Sequence, residues 1–474
     1  MPAFPLRAAL AAFCLLAGGL THAAPPPALD KAPVGFLRFV QSSPAPRAKV
    51  ARRAIAAGPA SLARERALAQ GEGIAVFPAQ LNRPLPPDDQ NAAPLYLKAE
   101  ALRRGKLRLP NYAETLSARY AYTPEQLSRI QKIYDDNPEV FALLHQATDR
   151  PLCVFPRDWT KDAFAFPSQF AGLRESAREL RTESVLLAER GRFPEAILTQ
   201  TRGYRLAQHT ASDPTLISYL VAEAMEALTT SGMQEILTLA GPNAAVDAQV
   251  VQAVTDHSAR LSLRHALSGE VALADAGFSL LRRGGAAGMD NLFRDADAGL
   301  RPAKAAFSPG EQRFYTDLLD AAEADYIHHM RAAIRLADTP DRAAILVRMS
   351  REVQSPAAGL VQEVARRLSP LQFDILNDVP LRSAASHAIT RAAAAVLTQR
   401  AKTGAYPDAL PGAFPDPYTG KPLGYRREGA DGFVVYSAGP DGKYDGGRPG
   451  EQMAPGQAGF RYLAVPVPVP KEMQ

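Results

Sequence analysis

The sequence predicts a mainly α protein made of antiparallel helical hairpins, closed at its C-terminal end by a small module of one helix and a β-hairpin. Three observations predict it. Apolar residues recur at helical spacing from Asn91 to about residue 380. Proline stands at the start of many of these runs and glycine just past their ends, the asymmetry that marks helix termini. Strand-like text is almost absent before Gly424.

Residues 1–23 carry one cation, Arg7, then an apolar run from Ala8 to Leu20, then small residues at Thr21 and Ala23. That layout predicts a signal peptide cleaved near Ala23 and a periplasmic or extracellular destination. The run is shorter than the roughly 20 residues a membrane span needs. Pro25-Pro26-Pro27 directly behind it would stop a helix, so no transmembrane segment is expected in the mature chain. Removal of the signal also removes Cys14, leaving Cys153 as the lone cysteine. One thiol makes no internal disulfide and no multi-cysteine metal site.

The formal net charge is +5 over 474 residues, with arginines usually close to acids. No dense basic block with interleaved aromatics appears, which argues against a nucleic-acid partner. With 46% hydrophobic residues, the chain has ample material for a core.

Residues 24–90 form a leader rich in proline, alanine and arginine, expected to wrap loosely around the rest, with short helices at Arg47 to Ala57 and Ser61 to Ala69. Residues 91–380 are expected to be the all-helical domain. It opens with NAAPLYLKAEALRRGK, in which Leu95, Ala99 and Leu102 share a face. Thr123-Pro124 and Asn137-Pro138 each begin a further helix, and LCVFPRDW (Leu152 to Trp159) breaks the pattern. Gly172 to Glu189 and Glu195 to Gln208 are amphipathic and are joined by Gly191-Arg192-Phe193-Pro194. Asp213 is expected to cap the next helix, whose Leu216, Ile217, Leu220, Val221, Ala224, Met225 and Leu228 make one buried stripe. Met225 and Met233 read as core filling. Arg282 to Lys304 is rich in glycine and alanine and is expected to contain a long loop, and helices follow at 311–338, 341–353, 356–368 and 381–403.

Residues 381–447 form the C-terminal module, and 448–474 read as an extended tail. Gly424 to Glu428 and Phe433 to Tyr436 make two short strands around a glycine-bearing turn. A hairpin that small needs a surface to pack on, and the preceding alanine-rich helix is nearest.

Two stretches resemble known families. AERGRFPEAI, around Gly191 and Ala196, is similar to the tight turn of a tetratricopeptide repeat, though no second copy recurs at the period of about 34 residues. Gly404-Ala405-Tyr406-Pro407-Asp408-Ala409-Leu410, the D-P-led segment Asp416 to Tyr425, and Ser437-Ala438-Gly439-Pro440-Asp441-Gly442 resemble, in that order, the globular end of the major pseudopilin of type II secretion systems. NAAPLY, DPTLISYL and this hairpin together also resemble a family of exported bacterial proteins of uncharacterised function. The pseudopilin likeness implies a calcium loop, with Asp441 on the family's aspartate and Asp445 as a second ligand. In an EF-hand register, Lys443 and Gln452 occupy ligand positions, which leaves the set short of the six to eight oxygens calcium takes. The competing reading is turn chemistry, with glycines at positive φ and Asp441 bonding its own turn.

No nucleophile elbow, zinc helix, phosphate loop or C-x-x-C is present, and no catalytic residue is assigned. His328 and His329 are helix neighbours about 100° apart and share no face. Cys153 with His145 could pair as nucleophile and base, but a lone cysteine inside LCVF reads as core. The expected function is therefore an exported, non-catalytic protein that binds another protein or an envelope component, without a cofactor. The alternatives are an envelope hydrolase built from scattered residues, and a secretion-linked component using the pseudopilin-like module.

Overall fold

A computed structural model describes residues 53–104, 120–163, 167–257, 260–293, 309–337, 361, 373–444, 458–463 and 467–468. The signal segment, Asp445, and, apart from Val361, the expected helices at 341–353 and 356–368 lie outside the described residues.

A helical turn at 53–56 leads into α1 (Gly58–Gly71), which is followed by a 3-10 turn, Pro78–Leu81. Then come α2 (Ala93–Arg103), the two-residue strand β1 (Tyr120–Ala121), α3 (Pro124–Asp136), α4 (Pro138–Thr148) and the short α5 (Trp159–Asp162). The main hairpin is α6 (Gln169–Glu189) with α7 (Phe193–Thr210), and α8 (Leu216–Ala240) packs on both. Four helices complete the body: α9 (Ala244–His257), α10 (Leu263–Phe293), α11 (Pro309–Leu336) and α12 (Phe373–Thr403).

The punctuation works as physical chemistry requires. Thr123 caps α3 by accepting from Gln126 N at 3.2 Å while Gln126 Oε1 accepts from Thr123 N at 2.9 Å, a closed capping box with Pro124 in the first turn. Between α6 and α7, Gly191 adopts φ +71°, which only glycine takes freely, and Arg192 N returns to Leu187 O. Close approach within the bundle depends on glycine as well. A Cβ on Gly203 would fall 2.6 Å from Thr229 Oγ1, so α7 and α8 meet along that line.

The cap of α8 differs from expectation. It is Thr215, whose hydroxyl accepts from Ser218 N at 3.2 Å, and Asp213 lies in the preceding turn with its carbonyl accepting from Thr215 N. Thr215 has extended φ/ψ, the geometry a cap needs. In the stretch expected to contain a long loop, helix continues to Phe293 across a break at Gly285 (φ +52°), and residues 294–304 lie outside the described residues.

Three apolar clusters make the core. The first joins Ile55, Leu62, Ala69, Ile74 and Val76 to α10 and α11, so this part of the proline-rich leader is packed in rather than loose. There, Gly58 lets the start of α1 touch the α11 backbone at Asp317 and Ala321. The second joins α2, α3 and α4 to α6 and α7. The third gathers α7, α9, α12 and the C-terminal module. Helix α8 contributes to all of them: Tyr219 to the first, Val221, Ala222 and Met225 to the second, Met233, Ile236 and Leu237 to the third. Both methionines are core, as their spacing indicates.

The module contains the expected hairpin, β2 (Gly424–Glu428) and β3 (Gly432–Tyr436), turning at Gly429 with φ +65°. A third antiparallel strand, β4 (Gly459–Leu463), pairs with β3 in the stretch read as an extended tail. It carries Phe460 and Tyr462 into the core, where Tyr462 stacks on Phe433 at 5.5 Å between centroids. A last strand, β5 (Val467–Pro468), lies parallel to β1.

Candidate functional site

The helices α1, α10 and α11 do not close completely over the polar side chains between them. Between them lies an open cleft of about 470 Å³, lined by Pro59, Leu62, Ala63 and Arg66 of α1, Phe77, Asp275, Ser279 and Arg282 of α10, and Asp320 of α11. Its floor is a charge lattice centred on Glu323, which is 0% exposed. Arg66 donates through Nη2 to Glu323 Oε1 at 2.5 Å and also bonds Asp275. Arg282 donates to Glu323 Oε2 at 2.5 Å and through Nε to Asp320 Oδ1 at 2.9 Å.

A carboxylate this deep is tolerated only because two guanidiniums hold it. Burial, followed by the nearby Glu323 charge, pushes Asp275 up to about 6 in spite of Arg66 and Arg282. Arg66 sits over the Phe77 ring at 5.0 Å, and that half-open ring forms one wall. About two turns beyond Glu323, Arg331 ties α11 to Glu65 at 2.6 Å and to Glu72, so α1 is held along its length. The cleft is thus rigid: its charged groups are fixed by one another, while one wall is apolar.

A second polar cluster forms where three non-helical stretches meet. Asn91 of NAAPLY donates from Nδ2 to Val154 O at 3.0 Å and accepts from Val154 N at 2.9 Å, and Ser212 Oγ donates to Cys153 O at 2.6 Å. Arg83 donates to Ser212 O and lies 3.0 Å from His265 Nε2. Arg157 stacks on Trp159 at 3.7 Å. Burial raises Asp213 and lowers His265. The cavity here is about 20 Å³, against the roughly 10–15 Å³ that one water needs. It has room for solvent and none for a substrate, so the cluster acts as a joint between segments.

The residues singled out in the sequence fall as follows. Asp441 is exposed, and its Oδ1 accepts from Lys443 N at 3.0 Å, the self-bonded turn geometry. Asp445 lies outside the described residues. His145 turns to Glu183 at 2.9 Å. Cys153 is buried, and desolvation drives its thiol far above the ordinary range, which makes it an inert core residue. The rings of His328 and His329 stand at 89° to one another. Among the described residues, no group of three or more histidines, cysteines or carboxylates is arranged to hold a metal ion.

In the module the dominant carboxylate is Asp416, 0% exposed, rather than Asp441. It accepts from Ser437 Oγ at 2.9 Å, Ala438 N at 2.7 Å and Tyr418 N at 3.0 Å. The D-P and S-x-G elements of the sequence therefore belong together physically: the first supplies the acceptor for the second.

Comparison with known protein families, with curated proteins and with solved structures found no match for the chain.

Proposed function

We propose that the chain is an exported, non-catalytic binding protein of the bacterial envelope, which takes part of a partner protein or an envelope component into the cleft between α1, α10 and α11. The cleft carries the reading. It is of ligand-binding size, has charged groups beside an apolar wall, and holds those groups in place before any ligand arrives, which lowers the ordering cost of binding. Export rests on the N-terminal layout of residues 1–23.

A photoreactive amino acid at Ser279, inside the cleft, tests the reading in cells. It is expected to capture a partner, and Ala63→Arg, which places a bulky cation in the opening, is expected to abolish the adduct. An adduct indifferent to Ala63→Arg overturns the assignment of the cleft. Turnover of a defined envelope substrate by the purified protein, lost on mutation of one cleft residue, overturns the non-catalytic role.

A further inference from the structure

Resting on that reading of the cleft, we propose that its occupant presents a cationic group, an arginine or lysine side chain, to Asp320, with an apolar stem laid along Leu62, Ala63 and Phe77.

Two guanidiniums, Arg66 and Arg282, face three carboxylates, Asp275, Glu323 and Asp320, so one negative charge is in excess. Glu323 spends Oε1 on Arg66 and Oε2 on Arg282. Asp275 is engaged by Arg66 and lies beside Glu323. Asp320 gives Oδ1 to Arg282, and among the described residues its Oδ2 has no partner. Its side chain is 15% exposed, at the lip of the cleft. Of the two carboxylates that line the cleft, Asp320 is the more exposed, at 15% against 9% for Asp275, so the excess charge is most open to a ligand there.

An anion would meet the opposite situation. Each arginine is already matched by two carboxylates, so an anionic ligand would enter a field that is negative overall. Lysine and arginine side chains also combine a charged head with an aliphatic stem, the pairing that a carboxylate beside Leu62, Ala63 and Phe77 accommodates. Protonation of Asp275 removes the excess. It faces Arg66 of α1, Arg282 of its own helix and Glu323 of α11, with Asp320 lining the same cleft, and binding should weaken below the pH at which it takes up its proton.

The test uses the full chain and three probes of equal length in ligand-observed NMR: N-acetyl-leucyl-arginine amide, the citrulline analogue that keeps its shape without its charge, and the glutamate analogue. The arginine probe is expected to bind roughly tenfold more tightly than citrulline at pH 7.5, with glutamate weakest. Asp320→Asn should reduce that preference below about twofold. Should Asp320→Asn fail to fold, Ala63→Arg, on the exposed side of α1, is expected to erase the preference as well. Equal binding of the arginine and citrulline probes, or tighter binding of glutamate, overturns the inference. So does failure of all three probes while Ser279 still captures a partner that Ala63→Arg excludes, an outcome that leaves the cleft as a binding site and removes only its charge preference.

Discussion

Asp247 is the buried residue whose ionisation should be most visible in stability. It is 1% exposed on α9, and its Oδ2 accepts from Thr398 of α12 at 2.9 Å, while among the described residues no donor reaches Oδ1. Desolvation raises its carboxyl to about 7, above the usual range near 3.9. The folded state thus prefers the neutral form, and the unfolded state prefers the ion from about pH 4 upward. The stability associated with the neutral form is complete below that pH and is lost progressively as pH rises through 7. Asp247→Asn keeps an acceptor for Thr398 and removes the charge. Its melting temperature should equal wild type at pH 4, rise above it through neutrality, and level off by pH 8 at a gain of about 1 °C for each kcal/mol relieved in a chain of this length; a constant offset across pH would refute the assignment. Asp416 matters as an acceptor. Asp416→Ala strands Ser437 and Ala438 and should cost about 1–3 kcal/mol, whereas Asp441→Ala, on the surface, should stay within about 0.5 kcal/mol. Added calcium should move neither melting temperature if the glycine loop is turn chemistry alone.

Elements dock where side chains are absent. A Cβ at Gly269 of α10 would lie 1.6 Å from Pro214 O, and the next residue, Glu270, accepts from Leu216 N at 2.7 Å. The start of α8 is thereby fixed to α10 by one missing side chain and one buried carboxylate. Gly269→Ala should cost about 1–3 kcal/mol, since fixed backbone is in the way, while Gly284→Ala, with open space around it, should be neutral or stabilising. Denaturant midpoints of the two variants separate these outcomes, and equal midpoints would show that α10 can shift at no cost. Sequence made elements of this kind legible unevenly. The α6–α7 turn could be read because Gly191 and Pro194 are local punctuation, and β2–β3 because Gly429 and Gly432 bracket a turn. Strand β4 could not, since GFRYL stands in a proline- and glycine-rich tail and its identity as a strand depends on β3, more than twenty residues earlier. The cleft was invisible for a similar reason. Arg66, Asp275 and Glu323 are brought together by helix crossings, and no spacing within a single helix encodes their contact.

At the scale of the whole molecule, α8 is shared by all three clusters, so damage to one should be felt in the others. Phe460 and Tyr462 of β4 are buried in the third cluster, against Phe433. The single tryptophan, Trp159, sits in a separate small cluster with Leu81 and Ala272, a group tied to α10. It reports on a region with which β4 has no direct contact among the described residues. Phe460→Ala removes an aromatic side chain from a closed core and should cost about 3–5 kcal/mol. If α8 couples the clusters, unfolding stays one transition, and the midpoint seen by Trp159 fluorescence falls together with the midpoint seen by far-UV circular dichroism. If the module and the body are independent units, circular dichroism acquires an early step while the Trp159 midpoint stays where it was, as expected for a chain of several domains. The shared helix favours the first outcome: α8 cannot leave the third cluster at Met233, Ile236 and Leu237 without loosening Val221 and Met225 in the second, a few turns away on the same rigid rod.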